Sequence, residues 1–378
     1  DQHGLENRRT IRLEYYCKAI SRKTIQGNKL KIHILYPFKE GPWGGANQFL
    51  KAIKVYFIKK SCYENNPKKA DIIIFNGSPS SELGLIIKEL YKLKKGNPKL
   101  LIFIRLDGPI FLIRDNDLEI DKVFFSLKNA TADGVIFQSN WSKEKNYSQG
   151  MSKDSFESTI INAPNPNIFN KNDNQIFDSN KKIRIIATSW SSNAKKGFST
   201  YKWLDNNLDF SRYEMVFIGN SPIKFTNIHH IPPLKTNELA TELKSSDVFI
   251  TASRRDPCSN SLIEAQHCGL PAIVIKDGGH PELLGKGGEV FVNDEEIPGL
   301  LDKIVTEYSS YQNNIQMPPL DQVAAAYYKF IEDVIIKTQA GEYIPKIFSW
   351  FEYFKIKIRL IWWRNKKRII VLNNYIWR

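Results

Sequence analysis

The sequence is poor in cysteine and histidine and contains no long apolar run. Its 378 residues include four cysteines and six histidines. The cysteines form no C-x-x-C pair and have no zinc-type spacing with the histidines, so neither a disulfide framework nor a zinc site is expected. No apolar run approaches the roughly 18 residues that a membrane-spanning helix needs, and no signal-peptide pattern opens the sequence. These absences favour a protein of the reducing cytoplasm.

What is abundant is positive charge, and it is unevenly distributed. The net charge is +14, with seven Lys/Arg against three acids in residues 1–29 and nine against two in residues 341–378. A protein that binds nucleic acid is expected to carry its excess on a folded basic face. Because the excess lies at the two ends, we do not expect nucleic acid as a partner.

Length and patterning predict an α/β protein with two lobes. A chain of 378 residues suits two domains of about 150 residues each. Short apolar runs alternate with helical patterns in both halves, which predicts parallel sheets with βαβ crossovers. The predicted segments are a basic N-terminal extension (1–29), a first lobe (30–165), a polar linker (166–182), a second lobe (183–330) and a C-terminal helix with a basic aromatic tail (331–378).

The most informative segment is 251–288, which has the features of a helix built to hold an anion. Asp256 and Glu264 stand eight residues apart, and cap-type residues lie between them at Ser259, Asn260 and Ser261. Free backbone N–H groups and the positive end of the dipole make such a helix start an anion site. The same residues also fit an ordinary strand-turn-helix unit with solvated acids.

Three other places carry candidate site residues. A glycine-rich turn with Gly44 and Gly45 follows the first predicted strand, where it leaves backbone N–H groups accessible. Asp107 ends another predicted strand, at the sheet edge where ligands bind in open α/β folds. The sequence Asp-Gly-Pro fits an ordinary turn equally well. Lys195 and Lys196 follow the first strand of the second half, where a lysine can bind a phosphate as a point charge. The other interpretation is a solvated pair of surface lysines.

These residues resemble the donor site of retaining GT-B glycosyltransferases of family 4 (group 1). That family has an E-x7-E pair, which appears here as Asp256 and Glu264, followed by a GG-x-PE loop, which appears as 278–282. The looser likeness extends over most of residues 30–330. The resemblance implies a GT-B architecture: two Rossmann-like lobes with parallel sheets and an interdomain cleft. It also implies a nucleotide diphosphate sugar as donor, an acceptor hydroxyl on a glycan or glycolipid, no cofactor and no metal.

The resemblance further implies a role for each residue. Asp256, Lys196 and Asp107 are the expected catalytic residues, with Asp256 at the donor sugar and Lys196 at the diphosphate. The expected donor-binding residues are Gly44, Gly45, Lys195, Ser259, Asn260, Ser261 and Glu264, the last at the ribose hydroxyls. In the family an arginine stands five residues before the lysine; here the position is Ser191, and we consider Lys195 as a substitute. In place of the first glutamate, Asp256 is one methylene shorter.

The C-terminal segment 345–378 combines four tryptophans with nine cations. Part of it has a helical apolar stripe, whereas Lys355, Lys357 and Arg359 alternate as in a strand. An amphipathic segment of this composition suits an anionic membrane surface, and we expect a cytoplasmic protein that is peripheral on the inner face of the membrane. A closing helix on the first lobe is the other interpretation, and both can hold together.

Other functions remain open at this point. A nucleotide-sugar epimerase or a phosphorylase shares the expected fold, and a noncatalytic protein that binds membranes or nucleic acid would also use basic ends. Paired acids around a helix start favour the transferase. Cys258 lies within the same segment, where we expect a small buried thiol rather than a nucleophile.

Overall fold

A computed structural model describes residues 30–39, 45–114, 118–153 and 155–376, with only the backbone given for 367–376. The predictions for Gly44 and for the segment 1–29 lie outside the described residues. The strands of the first lobe are β1 (Ile32–Leu35), β2 (Ile72–Gly77), β3 (Leu101–Leu106), β4 (Gly134–Phe137) and β5 (Phe156–Thr159). They form a parallel sheet in the order β1-β2-β3-β4-β5.

Helices cover both faces of this first sheet. They are α1 (Gly45–Lys59), α2 (Leu83–Gly96), α3 (Ile110–Arg114), α4 (Glu119–Thr131) and α5 (Asn140–Ser148). Strands β2 and β3 are buried along their whole length, which explains why they read as continuous apolar runs rather than alternating ones.

The second lobe contains a six-stranded parallel sheet. Its elements are β6 (Ile183–Ser189), α6 (Phe198–Asn207), β7 (Tyr213–Gly219), β8 (His229–Ile231), α7 (Thr236–Lys244), β9 (Val248–Thr251), α8 (Asn260–His267), β10 (Ala272–Ile275), α9 (His280–Leu284), β11 (Gly288–Phe291), α10 (Ile297–Thr306) and α11 (Tyr308–Asn313). The order is β11-β10-β9-β6-β7-β8. The chain therefore reverses direction across the sheet between β6 and β9, and ligands bind at such a switch point, beyond the carboxyl ends of the strands.

The chain then returns to the first lobe through α12 (Leu320–Gln339) and α13 (Trp350–Ile376). Helix α12 begins within the range predicted for the second lobe, yet its buried side chains, such as Tyr327, join the core around α1. Helix α13 packs on α2 and α4 through Ile356 and Leu360. The closing-helix interpretation of the tail thus describes its buried face. The strand-like alternation around Lys357 was misleading, because Trp350–Ile376 forms one helix.

A buried carboxylate anchors this returning segment. Asp133 accepts hydrogen bonds from the Tyr343 hydroxyl (2.8 Å) and the Lys346 N–H (2.9 Å), and it lies 3.8 Å from the buried Lys94 ammonium. Removing one partner of such a buried pair is strongly destabilising.

No helix in the described part of the chain has both the length and the apolar content needed to cross a bilayer.

Candidate functional site

The loops after β6 and β9, on either side of the switch point, bring Lys196 and Asp256 together. The Lys196 Nζ lies 3.0 Å from Asp256 Oδ2. Burial alone would raise the pKa of the Asp256 carboxyl, but the charges of Lys196 and His280, with the Cys258 N–H at 3.2 Å, hold that pKa below its usual value. Asp256 is therefore a fixed anion beside a fixed cation.

Helix α8 starts four residues after Asp256, as the cap-type residues predicted. Ser259 is the N-cap, and its hydroxyl accepts the Leu262 N–H at 3.4 Å. Ser259 is buried and is engaged in capping, so it does not line the cleft. Asn260 and Ser261 do line it, and they form the first turn, where the dipole of the helix is positive.

Glu264 lies one turn further along α8, and the two predicted acids face one cavity. Burial raises the pKa of the Glu264 carboxyl to about 8, and no described side chain pairs with it. Glu264 is only partly exposed, and a carboxylate that loses much of its hydration without gaining a partner is costly. The position therefore favours a ligand whose hydroxyl groups supply the missing hydrogen bonds.

Two compartments of the cleft meet at the Lys196–Asp256 pair. The first has a volume of about 410 Å³ and runs from this pair along the start of α8 to Glu264 and on to Leu234 and Leu239. We call it the donor compartment, after the role that the resemblance implies for the residues of this helix start. The second has a volume of about 480 Å³ and extends from the same pair toward Asp107 of the first lobe. We call it the acceptor compartment, after the role that the resemblance implies for the first lobe.

The first lobe contributes a close backbone approach and a buried hydrogen-bond network. Gly45 opens α1 against Asn260, and a β-carbon at Gly45 would overlap the Asn260 side chain. Asn162 bridges the lobes by donating to Asn260 Oδ1 (2.9 Å) and accepting from the fully buried Arg105 (2.7 Å). The site is thus assembled from both lobes.

Asp107 follows β3, as predicted, and its side chain lines the acceptor compartment. Its carboxylate lies 3.5 Å from the Arg105 guanidinium and accepts a hydrogen bond from the Gln138 amide. These two neighbours fix the orientation of the carboxylate at the edge of the cleft.

Lys195 does not join Lys196 in the donor compartment. Its Nζ donates to the Leu112 carbonyl of the first lobe at 2.5 Å, and the side chain lines only the acceptor compartment. A residue that sequence reasoning missed, Arg114 at the end of α3, lines the donor compartment together with Ser191. No local signal identifies Arg114, because it belongs to the other lobe. Arg254 and Arg255, next to Asp256 in sequence, line the acceptor compartment as well.

The loop 278–282 holds the site together instead of lining it. Gly278 has a φ of 67°, and a β-carbon there would overlap the backbone of Asp256. The Gly279 N–H also donates to the Asp256 carbonyl at 2.8 Å. The Glu282 carboxylate accepts the N–H groups of Asn140 and Trp141, each at 3.0 Å. Glu282 of the second lobe thus caps helix α5 of the first.

Two further observations concern the chemistry. Burial raises the pKa of the Cys258 thiol to about 12, so this cysteine is no nucleophile near neutral pH. In the described ranges, no group of three or more His, Cys, Asp or Glu side chains is arranged to hold a metal ion.

Comparisons with known proteins agree with this architecture. Residues 224–316, which include Asp256 and Glu264, match the family model for glycosyl transferases group 1. No curated protein sequence matches the chain. Among solved structures, the chain is similar to a sucrose-phosphate synthase from Thermosynechococcus elongatus, with a TM-score of 0.56 and 11% identity over 91% of this chain and 100% of that one.

Two other solved structures carry ligands. HepE from Anabaena, in complex with UDP-glucose, has a TM-score of 0.55 and 14% identity over 83% of this chain and 98% of that one. The catalytic domain of starch synthase IV from Arabidopsis thaliana, bound to ADP and acarbose, has a TM-score of 0.52 and 11% identity over 79% of each chain. Likeness at these identities shows the fold alone, and the predicted GT-B architecture of two parallel-sheet lobes is confirmed.

Proposed function

We propose that this protein is a retaining, metal-independent hexosyltransferase of the family 4 type, which moves a sugar from a nucleotide diphosphate donor to an acceptor hydroxyl. The observation that carries the proposal is the Lys196–Asp256 pair, 3.0 Å apart where the two compartments meet. A donor in one compartment and an acceptor in the other have their reacting atoms at this pair. The acceptor belongs to a surface glycan or a lipid-linked precursor.

The residues have distinct tasks in this reaction. The bond from the sugar C1 to the diphosphate oxygen breaks, and the acceptor oxygen bonds to C1 on the same face of the sugar. The acceptor proton passes to the leaving diphosphate. Lys196 and the start of α8 stabilise the negative charge that develops on the diphosphate, and Asp256 accepts hydrogen bonds from the sugar hydroxyls. The nucleotide itself supplies the leaving group, and no cofactor takes part.

A panel of nucleotide diphosphate sugars tests this function. A donor at about 100 times its Kd is expected to stabilise the protein by about 2.7 kcal/mol, measured as a rise in Tm. The matched control is Glu264→Gln with the same panel, which is expected to show a smaller rise. If no member of the panel raises Tm, the donor site is contradicted.

Incubation of the stabilising donor alone separates a transferase from an epimerase of the same fold. An epimerase interconverts the sugar without any acceptor, whereas the proposed transferase leaves the sugar configuration unchanged. The acceptor compartment, with room beside Asp256 for a second molecule, favours the transferase.

We further propose that α13 attaches this cytoplasmic protein to the inner face of an anionic membrane. Beside the face that packs on the first lobe, α13 exposes large apolar side chains: Trp350 (62%), Phe351 (70%), Phe354 (48%), Ile358 (51%), Ile361 (51%) and Trp362 (52%). Cations accompany them, with Lys355 exposed and Lys357 and Lys366 partly exposed. Tryptophan beside Lys/Arg is the composition of helices that lie in a membrane surface.

Vesicle co-sedimentation tests this attachment without removing the buried face of α13. Trp350→Ser/Phe351→Ser/Phe354→Ser is expected to reduce binding to phosphatidylglycerol-containing vesicles by about tenfold or more, with little binding of either protein to zwitterionic vesicles. The control Ile176→Ser/Val292→Ser changes one exposed apolar residue of the linker and one of the second lobe. Equal binding of the triple variant and the unaltered protein would contradict the proposal.

A further inference from the structure

The acceptor compartment has an excess of positive charge. Its lining includes the cations Arg114, Lys195, Lys196, Arg254 and Arg255, against the acids Asp107 and Asp256. Lys196 is paired with Asp256 at 3.0 Å, and Asp107 lies 3.5 Å from Arg105. Both acids of the lining are therefore already paired, Asp256 with Lys196 of the same lining and Asp107 with Arg105.

The arginines of this compartment have no such partner within the part of the chain that the structure describes. Among the described residues, no carboxylate lies within ion-pair distance of Arg114, Arg254 or Arg255. Arg254 and Arg255 are exposed to solvent in the cleft, so neither is buried against a carbonyl in the way that Lys195 is. Three guanidinium groups that have no carboxylate partner in the described ranges attract an anion.

The backbone that carries Arg254 and Arg255 is held in place. The Arg254 N–H donates to the Lys195 carbonyl at 2.7 Å, which ties this loop to the loop after β6. Arg255 has a φ of 54°, in the left-handed region that favours glycine. Residues with a side chain in this region persist where the surrounding structure fixes them, and they concentrate at functional sites.

We propose that Arg254 and Arg255, with Arg114 opposite, bind a phosphate or carboxylate group of the acceptor. The inference rests on the proposed function and narrows its acceptor to an anionic one. The planar guanidinium group binds both oxyanions through paired hydrogen bonds. Arg114 also lines the donor compartment, whereas Arg254 and Arg255 line the acceptor compartment and not the donor compartment. The donor diphosphate, held by Lys196 and the start of α8, therefore does not compete for Arg254 and Arg255.

The arginines are placed where they can orient an anionic acceptor as well as bind it. They line the same compartment as Asp107, and Arg255 directly precedes Asp256 in the chain. An acceptor held by its anionic group there has its hydroxyl directed toward the donor sugar. Neutral glycans lack this anchor, so the compartment selects among acceptors as well as orienting them.

The test measures binding of small anions to Arg254→Gln/Arg255→Gln, with the nucleoside diphosphate of the best donor at saturation to fill the donor compartment. The probes are inorganic phosphate, glucose 6-phosphate and dodecyl phosphate, titrated by calorimetry. We expect each bound probe to lose about tenfold in affinity in the variant, while the affinity for the nucleoside diphosphate changes by less than about twofold. Glutamine is shorter than arginine, but it keeps an unbranched polar side chain and, at position 255, the same positive φ of a residue with a β-carbon. A folded variant is therefore expected and is checked by its Tm.

The control Lys68→Gln/Lys69→Gln removes the same charge from an exposed turn of the first lobe and is expected to leave all affinities unchanged. Tighter binding of glucose 6-phosphate than of dodecyl phosphate indicates a charged glycan, and the reverse order indicates a lipid phosphate; either supports the proposal. Equal affinities of the unaltered protein and the arginine variant overturn it, as does a failure of all three probes to bind. If no nucleoside diphosphate binds, the proposed function fails, and the phosphate titration without nucleotide still decides the arginine site.

Discussion

Lys196→Met is expected to lower kcat by about 10²–10³-fold, the usual loss when one group that stabilises a developing oxyanion is removed. The methionine side chain keeps most of the volume of lysine but has no charge. The diphosphate then leaves with only the start of α8 to stabilise it. Turnover of the donor identified by the panel, with its acceptor, measures the effect.

The same substitution tests the ion pair itself. Without Lys196, Asp256 loses the charge that holds its pKa down, and burial raises that pKa. In a double-mutant cycle of Lys196→Met and Asp256→Asn, the two losses of kcat are therefore expected to be non-additive. The kcat of the double variant is expected to lie close to that of the less active single variant. The control Lys181→Met removes an exposed lysine of the linker, whose side chain is 76% accessible. Turnover of Lys196→Met within about threefold of the unaltered protein would contradict the role of this lysine.

The local parts of the site could be predicted from the sequence because local rules govern them. Asp256, the cap residues and Glu264 lie on one loop and one helix, and cap chemistry determines where that helix begins. Strand β3 ends at Leu106, directly before Asp107, so the position of this acid at the sheet edge followed from an apolar run. The roles of these residues stay predictions.

The parts contributed by contact between the lobes could not be predicted. The clash that requires glycine at Gly45 comes from Asn260, more than 200 positions away. Lys195 and Lys196 are adjacent in sequence, but only Lys196 also lines the donor compartment. The Lys195 side chain is held by the carbonyl of Leu112 in the first lobe. Contacts between the lobes depend on how the two lobes are placed relative to each other, and a single sequence does not give that placement.

The tail illustrates a different limit. The alternation of Lys355, Lys357 and Arg359 resembled a strand, but Ile356 and Leu360 are four residues apart and pack together against the first lobe. Two apolar faces, one buried and one exposed, obscure the helical period in the sequence. Tertiary packing therefore determined the structure where local periodicity was ambiguous.

Glu264→Gln is expected to weaken donor binding by about 10–100-fold at pH 8.5, the cost of losing hydrogen bonds to a charged group. In the unaltered protein the pKa of Glu264 is about 8, and ribose hydroxyls bind best to the charged form. Donor binding therefore releases a proton below pH 8. We expect the Kd to fall as the pH rises from 6 to 8 and to level off above 8, whereas the variant shows no such dependence.

The same substitution is expected to stabilise the free protein by about 0.5–2 kcal/mol at pH 8.5, as often happens when a strained functional group is removed. The sign follows from the raised pKa of Glu264. Between pH 4.5 and about 8 the folded state keeps a proton on Glu264 that the unfolded state has released. The protein therefore has its full free energy of unfolding, as far as Glu264 contributes to it, below pH 4.5 and loses this contribution as the pH rises to about 8. Chemical denaturation at pH 6 and pH 8.5 measures the gain, and the exposed Glu295→Gln is the control. Loss of stability in Glu264→Gln at pH 8.5, with unchanged donor affinity, would mean that this carboxylate supports the fold and not the ligand.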